Sequence, residues 1–266
     1  MTVATPSWFY RPFPHPEARQ RLCCFSYAGR GASLFRNWGR LLGSDVDVVA
    51  IQMPGRENRL ADPAFNRIGQ AVAALREVIA PLLDRETSFF GHSLGATLCF
   101  DLARALSDGG SPEPRRLIVS GARAPHVPSP HFPIHGLGDA EFLREVQERY
   151  GGIPREILEN PEVLELLLPT LRADFEMLET YRAVELRPMP FPIHAFGGKA
   201  DDDVREADID AWRRHSAHPL SVQMFEGGHF FVQECEGEVV EAVRHILTSA
   251  QHSQQGVRSM SERNNG

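Results

Sequence analysis

This sequence of 266 residues has no apolar run approaching the ~18 residues that a helical membrane span requires. Its opening segment, Met1 to Pro16, lacks the apolar core of a secretory signal, so a cytoplasmic protein is expected. Cysteine is scarce: Cys23, Cys24, Cys99 and Cys235 are the only four. None stands at metal-ligand spacing, and three lie inside apolar strand or helix patterns. They read as buried, reduced thiols, not as a disulfide framework. There are eleven histidines but no His-Glu-x-x-His pair, so no metal site is expected. No long basic run occurs and the formal net charge is −7, which argues against nucleic acid or an anionic membrane as the main partner. No internal repeat is evident.

What is present is an alternation of short apolar runs with helical patterns, in a chain long enough for one large α/β domain. The runs are Leu22–Tyr27, Val46–Met53, Ser88–Phe90, Arg116–Ser120, Ile193–Phe196 and Leu220–Phe225. Near-continuous apolar character suits strands buried on both faces. Helical patterns cover Ser33–Leu42, with Ser33 a plausible N-cap, then Asn66–Leu83, Ala96–Leu106, Arg205–His215 and 230–250. This order predicts a mostly parallel sheet with helices on both faces. Residues 1–20 read as an arm laid over the surface by Trp8, Phe9, Tyr10 and Phe13. Residues 251–266 read as a disordered tail, leaving a single domain over 1–250.

An insertion of about 126–185 separates the fourth and fifth runs. It opens on a proline-rich loop and continues as a helix over Asp139–Tyr150 and a longer helical stretch over Glu156–Tyr181, which Asn160-Pro161 and Pro169 should interrupt or kink. Leu164, Leu167, Leu168, Leu171, Phe175 and Leu178 recur there at helical spacing. Such a stripe is either core packing or the apolar face of a lid over a substrate channel.

The third run leads into Gly91-His92-Ser93-Leu94-Gly95, a Gly-x-Ser-x-Gly pattern with a strand before it and a helix after it. That setting holds a serine hydroxyl at the tip of a tight turn, with the helix N-terminus beside it. A serine needs a base, and a base needs a carboxylate to fix its tautomer. In the α/β-hydrolase order, serine, acid and histidine follow one another along the chain. His229 is the best base, because it directly follows the last strand and Gly227-Gly228 let its loop curl back. By position Asp201, Asp202 and Asp203 all qualify as the acid. The two oxyanion donors should be the N–H of Leu94 and one from the loop Ala28-Gly29-Arg30-Gly31-Ala32, most plausibly Ala28. His92 reads as a locally packed or hydrogen-bonded side chain.

At these residues the chain resembles a discrete type II thioesterase of polyketide and nonribosomal peptide synthesis, over about residues 8–248. The landmarks are Phe25-Ser26-Tyr27-Ala28-Gly29, Met53-Pro54-Gly55-Arg56-Glu57, the serine pentapeptide, Asp174 through Tyr181-Arg182, Gly197-Gly198-Lys199-Ala200-Asp201 and Gly227-Gly228-His229-Phe230-Phe231. Ser26 and Arg30 depart from the family's usual proline and small residue. The resemblance implies an α/β-hydrolase fold with a helical lid, and it places the triad acid on Asp201. It implies hydrolysis, in trans, of stalled acyl groups from the 4′-phosphopantetheine arm of acyl or peptidyl carrier domains. No cofactor beyond that arm and a monomeric state are expected. Product release, a generic serine esterase and a non-catalytic carrier-binding subunit are the competing readings. Arg56 and Glu57 read either as a structural ion pair fixing their loop or as a contact to the arm or carrier.

Overall fold

The computed structural model describes residues 7–183 and 187–263, and side chains as far as 249. The described residues form seven strands, β1 (Phe9–Tyr10), β2 (Gln20–Phe25), β3 (Val46–Ile51), β4 (Glu86–His92), β5 (Leu117–Ser120), β6 (Ile193–Gly198) and β7 (Ser221–Phe225). They form one sheet in the order β1-β3-β2-β4-β5-β6-β7, antiparallel only at the β1–β3 edge. β4 therefore lies in the middle, flanked by β2 and β5, and its carboxyl end is where the chain order reverses. Open α/β sheets gather their sites at such a point.

The strands are apolar on both faces because both faces are covered. Cys23, Phe25, Val49, Ile51, Phe89, Leu117, Val119 and Ile193 pack under α2 (Ile68–Ile79) and α3 (Leu94–Asp108). Leu22, Cys24, Val48, Ala50, Phe90, Ile118 and Phe196 face α1 (Trp38–Leu42) and the terminal helix. Trp38 sits edge-on to Phe90, ring centroids 4.7 Å apart, and both are fully buried. Each such side chain contributes about 1.5–3 kcal/mol by leaving water. All four cysteines are free; Cys235 is half-buried, and burial pushes the Cys23 thiol up to about 12.

The insertion between β5 and β6 carries α4 (Asp139–Tyr150), α5 (Arg155–Leu158) and α6 (Pro161–Thr180). The interruption expected at Asn160-Pro161 is present: α5 ends at Leu158 and α6 begins at Pro161. Pro161 takes the first turn, where no N–H is needed, and the Asn160 side chain accepts from the Val163 N–H at 3.2 Å. The helix continues through Pro169. Beyond β6 come α7 (Glu206–Asp210), α8 (Phe231–Glu234) and α9 (Glu236–Arg263).

Two local readings change. The N-terminal arm is partly an edge strand: Phe9 pairs with Ile51, Arg11 binds buried Asp47 at 2.7 Å, and Trp8 lies under the Arg59 guanidinium. Ser33 is not an N-cap; a 3-10 turn over Ala32–Phe35 precedes α1, and the Ser33 hydroxyl donates to Glu57. α9 runs from Glu236 to Arg263, and residues 264–266 lie outside the described residues.

Two glycines show how tightly the centre is packed. A Cβ on Gly95 would stand 2.1 Å from the Phe25 carbonyl oxygen, whereas one on Gly69 would meet nothing within 4 Å. Gly95→Ala should cost about 3 kcal/mol or more, while Gly69→Ala should gain about 0.4–1 kcal/mol, both read by denaturant melts. A Gly95→Ala protein melting with wild type would contradict the packing described.

Candidate active site

Ser93 sits between β4 and α3 with φ 54° and ψ −116°, a backbone conformation costly for any residue with a Cβ. Its neighbours make room. A Cβ on Gly91 would stand 2.2 Å from the Gly95 carbonyl oxygen, so the turn closes only with glycine at both ends. The Ser93 N–H donates to the Ser120 carbonyl at 2.8 Å, which ties the turn to β5.

The loops after β6 and β7 deliver the other two residues. They are zipped together by Lys199 N–H to the Phe225 carbonyl at 2.8 Å and Ala200 N–H to the Gly227 carbonyl at 2.9 Å. Gly227, at φ 100°, reverses the second loop and brings His229 over the serine. His229 Nε2 lies 3.1 Å from Ser93 Oγ, and Nδ1 lies 2.8 Å from Asp201 Oδ2. An ionised carboxylate only accepts, so Nδ1–H donates to Asp201 and Nε2 is left to accept the serine proton. Asp201 and His229 are 6 % and 8 % exposed. Burial alone would raise the Asp201 carboxyl; hydrogen bonding and charge from His229, with the Val204 and Asp203 N–H groups at 3.0 Å, outweigh it and hold the acid below its usual range.

The structure thus brings together Ser93, His229 and Asp201, the set placed by sequence spacing and resemblance. It separates the three aspartates. Asp202 is exposed, and the Asp203 carboxylate turns away from His229 to bind His131 Nε2 at 3.0 Å and Arg123. The expected oxyanion donors are also at hand. Leu94 opens α3, Ala28 lines the same cavity as Ser93, and among the described residues neither N–H has a protein acceptor.

That cavity has a volume of about 780 Å³. Its floor is Ala28, Ser93 and His229, and its roof is the insertion: Val146 and Tyr150 from α4, Leu171, Phe175 and Leu178 from α6, and the loop through Phe132. Part of the leucine stripe is core and part lines the cavity. Leu168, Leu171 and Phe175 pack on a small core of Ile134, Phe142 and Val146, while Leu171, Phe175 and Leu178 face the cavity. Arg30 is not among the lining residues.

Two arrangements escaped sequence reasoning. Fully buried His92 spans Ser120 Oγ and the His229 carbonyl, each at 2.9 Å. A carbonyl can only accept, so Nε2–H donates to it and Nδ1 accepts from the Ser120 hydroxyl. His92 thereby steadies the backbone of the base. The second is that Arg56 does not pair with Glu57; it forms a two-pronged ion pair with Asp174 of α6, at 2.9 and 3.0 Å. Glu57 instead accepts from Ser33. No local pattern announces either contact, because the partners lie 137 and 118 residues apart.

With this geometry in place, comparison with known proteins is decisive. A thioesterase-domain model matches residues 20–249. The chain belongs to the thioesterase family. The gramicidin S biosynthesis protein GrsT of Aneurinibacillus migulanus is 38 % identical to this thioesterase over 234 residues, 88 % of this chain and 91 % of that one. The linear gramicidin dehydrogenase LgrE of Brevibacillus parabrevis is 37 % identical over 252 residues, 93 % and 95 % of the two chains. The type II thioesterase BorB from the borrelidin biosynthetic cluster superposes with a TM-score of 0.80 at 31 % identity, covering 89 % of this thioesterase and 96 % of BorB.

The buried His92 makes stability pH-dependent. Burial, with the neighbouring His229, lowers its pKa from 6.5 to about 3. Between those values the unfolded chain binds more protons, so stability falls as pH drops from about 6.5 toward 3, by up to ~1.4 kcal/mol per unit for this group. His194 and His215, both lowered to about 4, act in the same direction. Denaturant midpoints measured from pH 7 to 4.5 should fall, and less steeply in His92→Gln; equal slopes would exclude a neutral buried His92.

Proposed function

We propose that this thioesterase acts in trans on carrier proteins of a polyketide synthase or nonribosomal peptide synthetase, hydrolysing stalled or aberrant acyl groups from the 4′-phosphopantetheine arm. The observation that carries the reading is the hydrogen-bonded Ser93–His229–Asp201 line at the floor of a roofed cavity of about 780 Å³. A thioester on a flexible arm suits a site reached through a channel, and the relatives named above include a gramicidin S biosynthesis protein and a type II thioesterase from the borrelidin biosynthetic cluster.

In this reading the thioester carbonyl oxygen lies between the Ala28 and Leu94 N–H groups. Ser93 Oγ attacks the carbonyl carbon as its proton passes to His229 Nε2, and Asp201 stabilises the imidazolium. The C–S bond breaks, and the imidazolium returns the proton to the departing sulfur. Water then enters; His229 takes its proton, hydroxide adds to the acyl-enzyme carbonyl, and the acid leaves as Ser93 is reprotonated. No metal or organic cofactor enters these steps. In the same reading the enzyme is a monomer working in the cytoplasm on protein partners, which a net charge of −7 suits better than nucleic acid; among the described residues no helix is long and apolar enough to cross a membrane.

A hydride-transfer reading, suggested by the name of the LgrE relative, fits the loop after β2 poorly. A dinucleotide pyrophosphate needs open backbone at a glycine-rich turn and a helix N-terminus. Here the sequence runs Gly29-x-Gly31-x-x-Leu34, and a Cβ on Gly31 would collide with the Glu57 carboxyl group at 2.2 Å. A carboxylate already fills the place an anion would take.

Acyl-loaded carrier protein should lose its acyl group in the presence of wild-type enzyme, as followed by intact mass spectrometry. Ser93→Ala should lower kcat by ~10⁴–10⁶-fold and Asp201→Asn by ~10⁴-fold. Short acyl units should turn over faster than a full-length chain. Full activity in Ser93→Ala would defeat the reading, and a preference for full-length chains would point to product release.

A further inference from the structure

The oxyanion loop is held from outside itself. Tyr27-Ala28-Gly29-Arg30 is closed by the Arg30 N–H donating to the Tyr27 carbonyl at 3.1 Å, and Gly29 has φ 74°. A positive φ at the third position is the mark of a type II turn, in which the central peptide plane faces opposite to its direction in a type I turn. That central peptide joins Ala28 to Gly29. Its N–H, on Gly29, donates at 2.7 Å to Asp174 Oδ2. The same oxygen accepts from Arg56 Nη1 at 3.0 Å, and Oδ1 accepts from Arg56 Nη2 at 2.9 Å. Asp174 is 0 % and Arg56 4 % exposed. Arg56 is itself fixed by donating from Nε to the Pro54 carbonyl at 3.2 Å. One helical turn before Asp174, Leu171 presses on the other side of Gly29; a Cβ there would stand 2.8 Å from Leu171 Cδ1.

We infer that Asp174, carried on the roof helix α6 and oriented by Arg56, is a positioning residue that sets the direction of the Ala28 oxyanion donor. The Ala28 N–H shares its peptide plane with the Tyr27 carbonyl, which the Arg30 N–H holds across the turn; anchoring the Ala28–Gly29 plane keeps the turn in its type II form and so keeps the Tyr27–Ala28 plane, with the Ala28 N–H, in place. The hole is then complete only when α6 is seated on the loop, so the element that roofs the cavity also assembles half of the oxyanion site. A buried ion pair is a weak source of net stability, since desolvation offsets most of its attraction. Retaining one here is accounted for by the geometry it imposes. The inference rests on the reading of Ser93 as an acyl-transfer nucleophile assisted by Ala28 and Leu94.

The test compares Arg56→Met/Asp174→Asn with Arg56→Met/Asp174→Leu. Both remove the same charges, but only the asparagine keeps an acceptor for the Gly29 N–H. With acyl-carrier substrate, the leucine pair should show kcat ~10–100-fold below the asparagine pair, with KM within about threefold, somewhat less than the loss of a whole oxyanion donor. Melting curves of both variants separate this from misfolding. In the wild-type protein, the Gly29 amide should exchange with solvent no faster than the α6 amides around Asp174, a measurement that needs no variant. Equal kcat in the two pairs, or a rapidly exchanging Gly29 beside a protected α6, overturns the inference. A wild-type enzyme that leaves the carrier acylated would instead defeat the functional reading beneath it.

Discussion

The close approach of two backbones at Gly95 is the constraint on which the rest of the structure depends. The first turn of α3 runs against the carbonyl at the end of β2, and only the missing Cβ allows it. This contact sets Ser93 at the centre of the sheet's carboxyl edge and puts the α3 N-terminus beside the β2 loop that carries Ala28. The strained serine backbone persists because β4, β2 and β5 over-determine its position. The Ser93 hydroxyl and the Ala28 and Leu94 N–H groups are thus placed by the same packing.

Around that point each remaining group is fixed by something other than its own reaction. The loops bearing Asp201 and His229 are bound to each other by backbone hydrogen bonds, so acid and base move as one unit. His92, next to the serine in sequence, holds the His229 carbonyl and so ties base to nucleophile from behind. Asp203 lends its N–H to Asp201 and its carboxylate to His131, linking the triad acid to the cavity wall. Preorganisation of this kind is what lets fixed dipoles stabilise developing charge without reorganising.

The parallel strands, their alternation with helices, and the placing of Ser93 and His229 at strand ends were legible in the sequence. Each leaves a local signature: apolar runs, glycines flanking a serine, and a Gly-Gly-His at a strand end. The choice among Asp201, Asp202 and Asp203 needed resemblance, because one-residue steps in a loop carry no periodicity. β1 was missed because two residues cannot display alternation. Ser33 and Glu57 show a different limit. A serine before a helical pattern reads as a cap, but here a carboxylate from the next loop captures its hydroxyl and its N–H. The Arg56–Asp174 pair joins residues 118 apart, and no neighbouring pattern marks such a partner.

In the proposed mechanism, hydrolysis passes through a covalent acyl bond to Ser93. Rapid quenching of wild-type enzyme mixed with acyl-loaded carrier, followed by proteolysis and peptide mass mapping, tests it most directly. A transient acyl mass is expected on the peptide containing Ser93, rising and falling as free acid accumulates. Release of acid with no acyl group on that peptide, or with the acyl group on another residue, would contradict it.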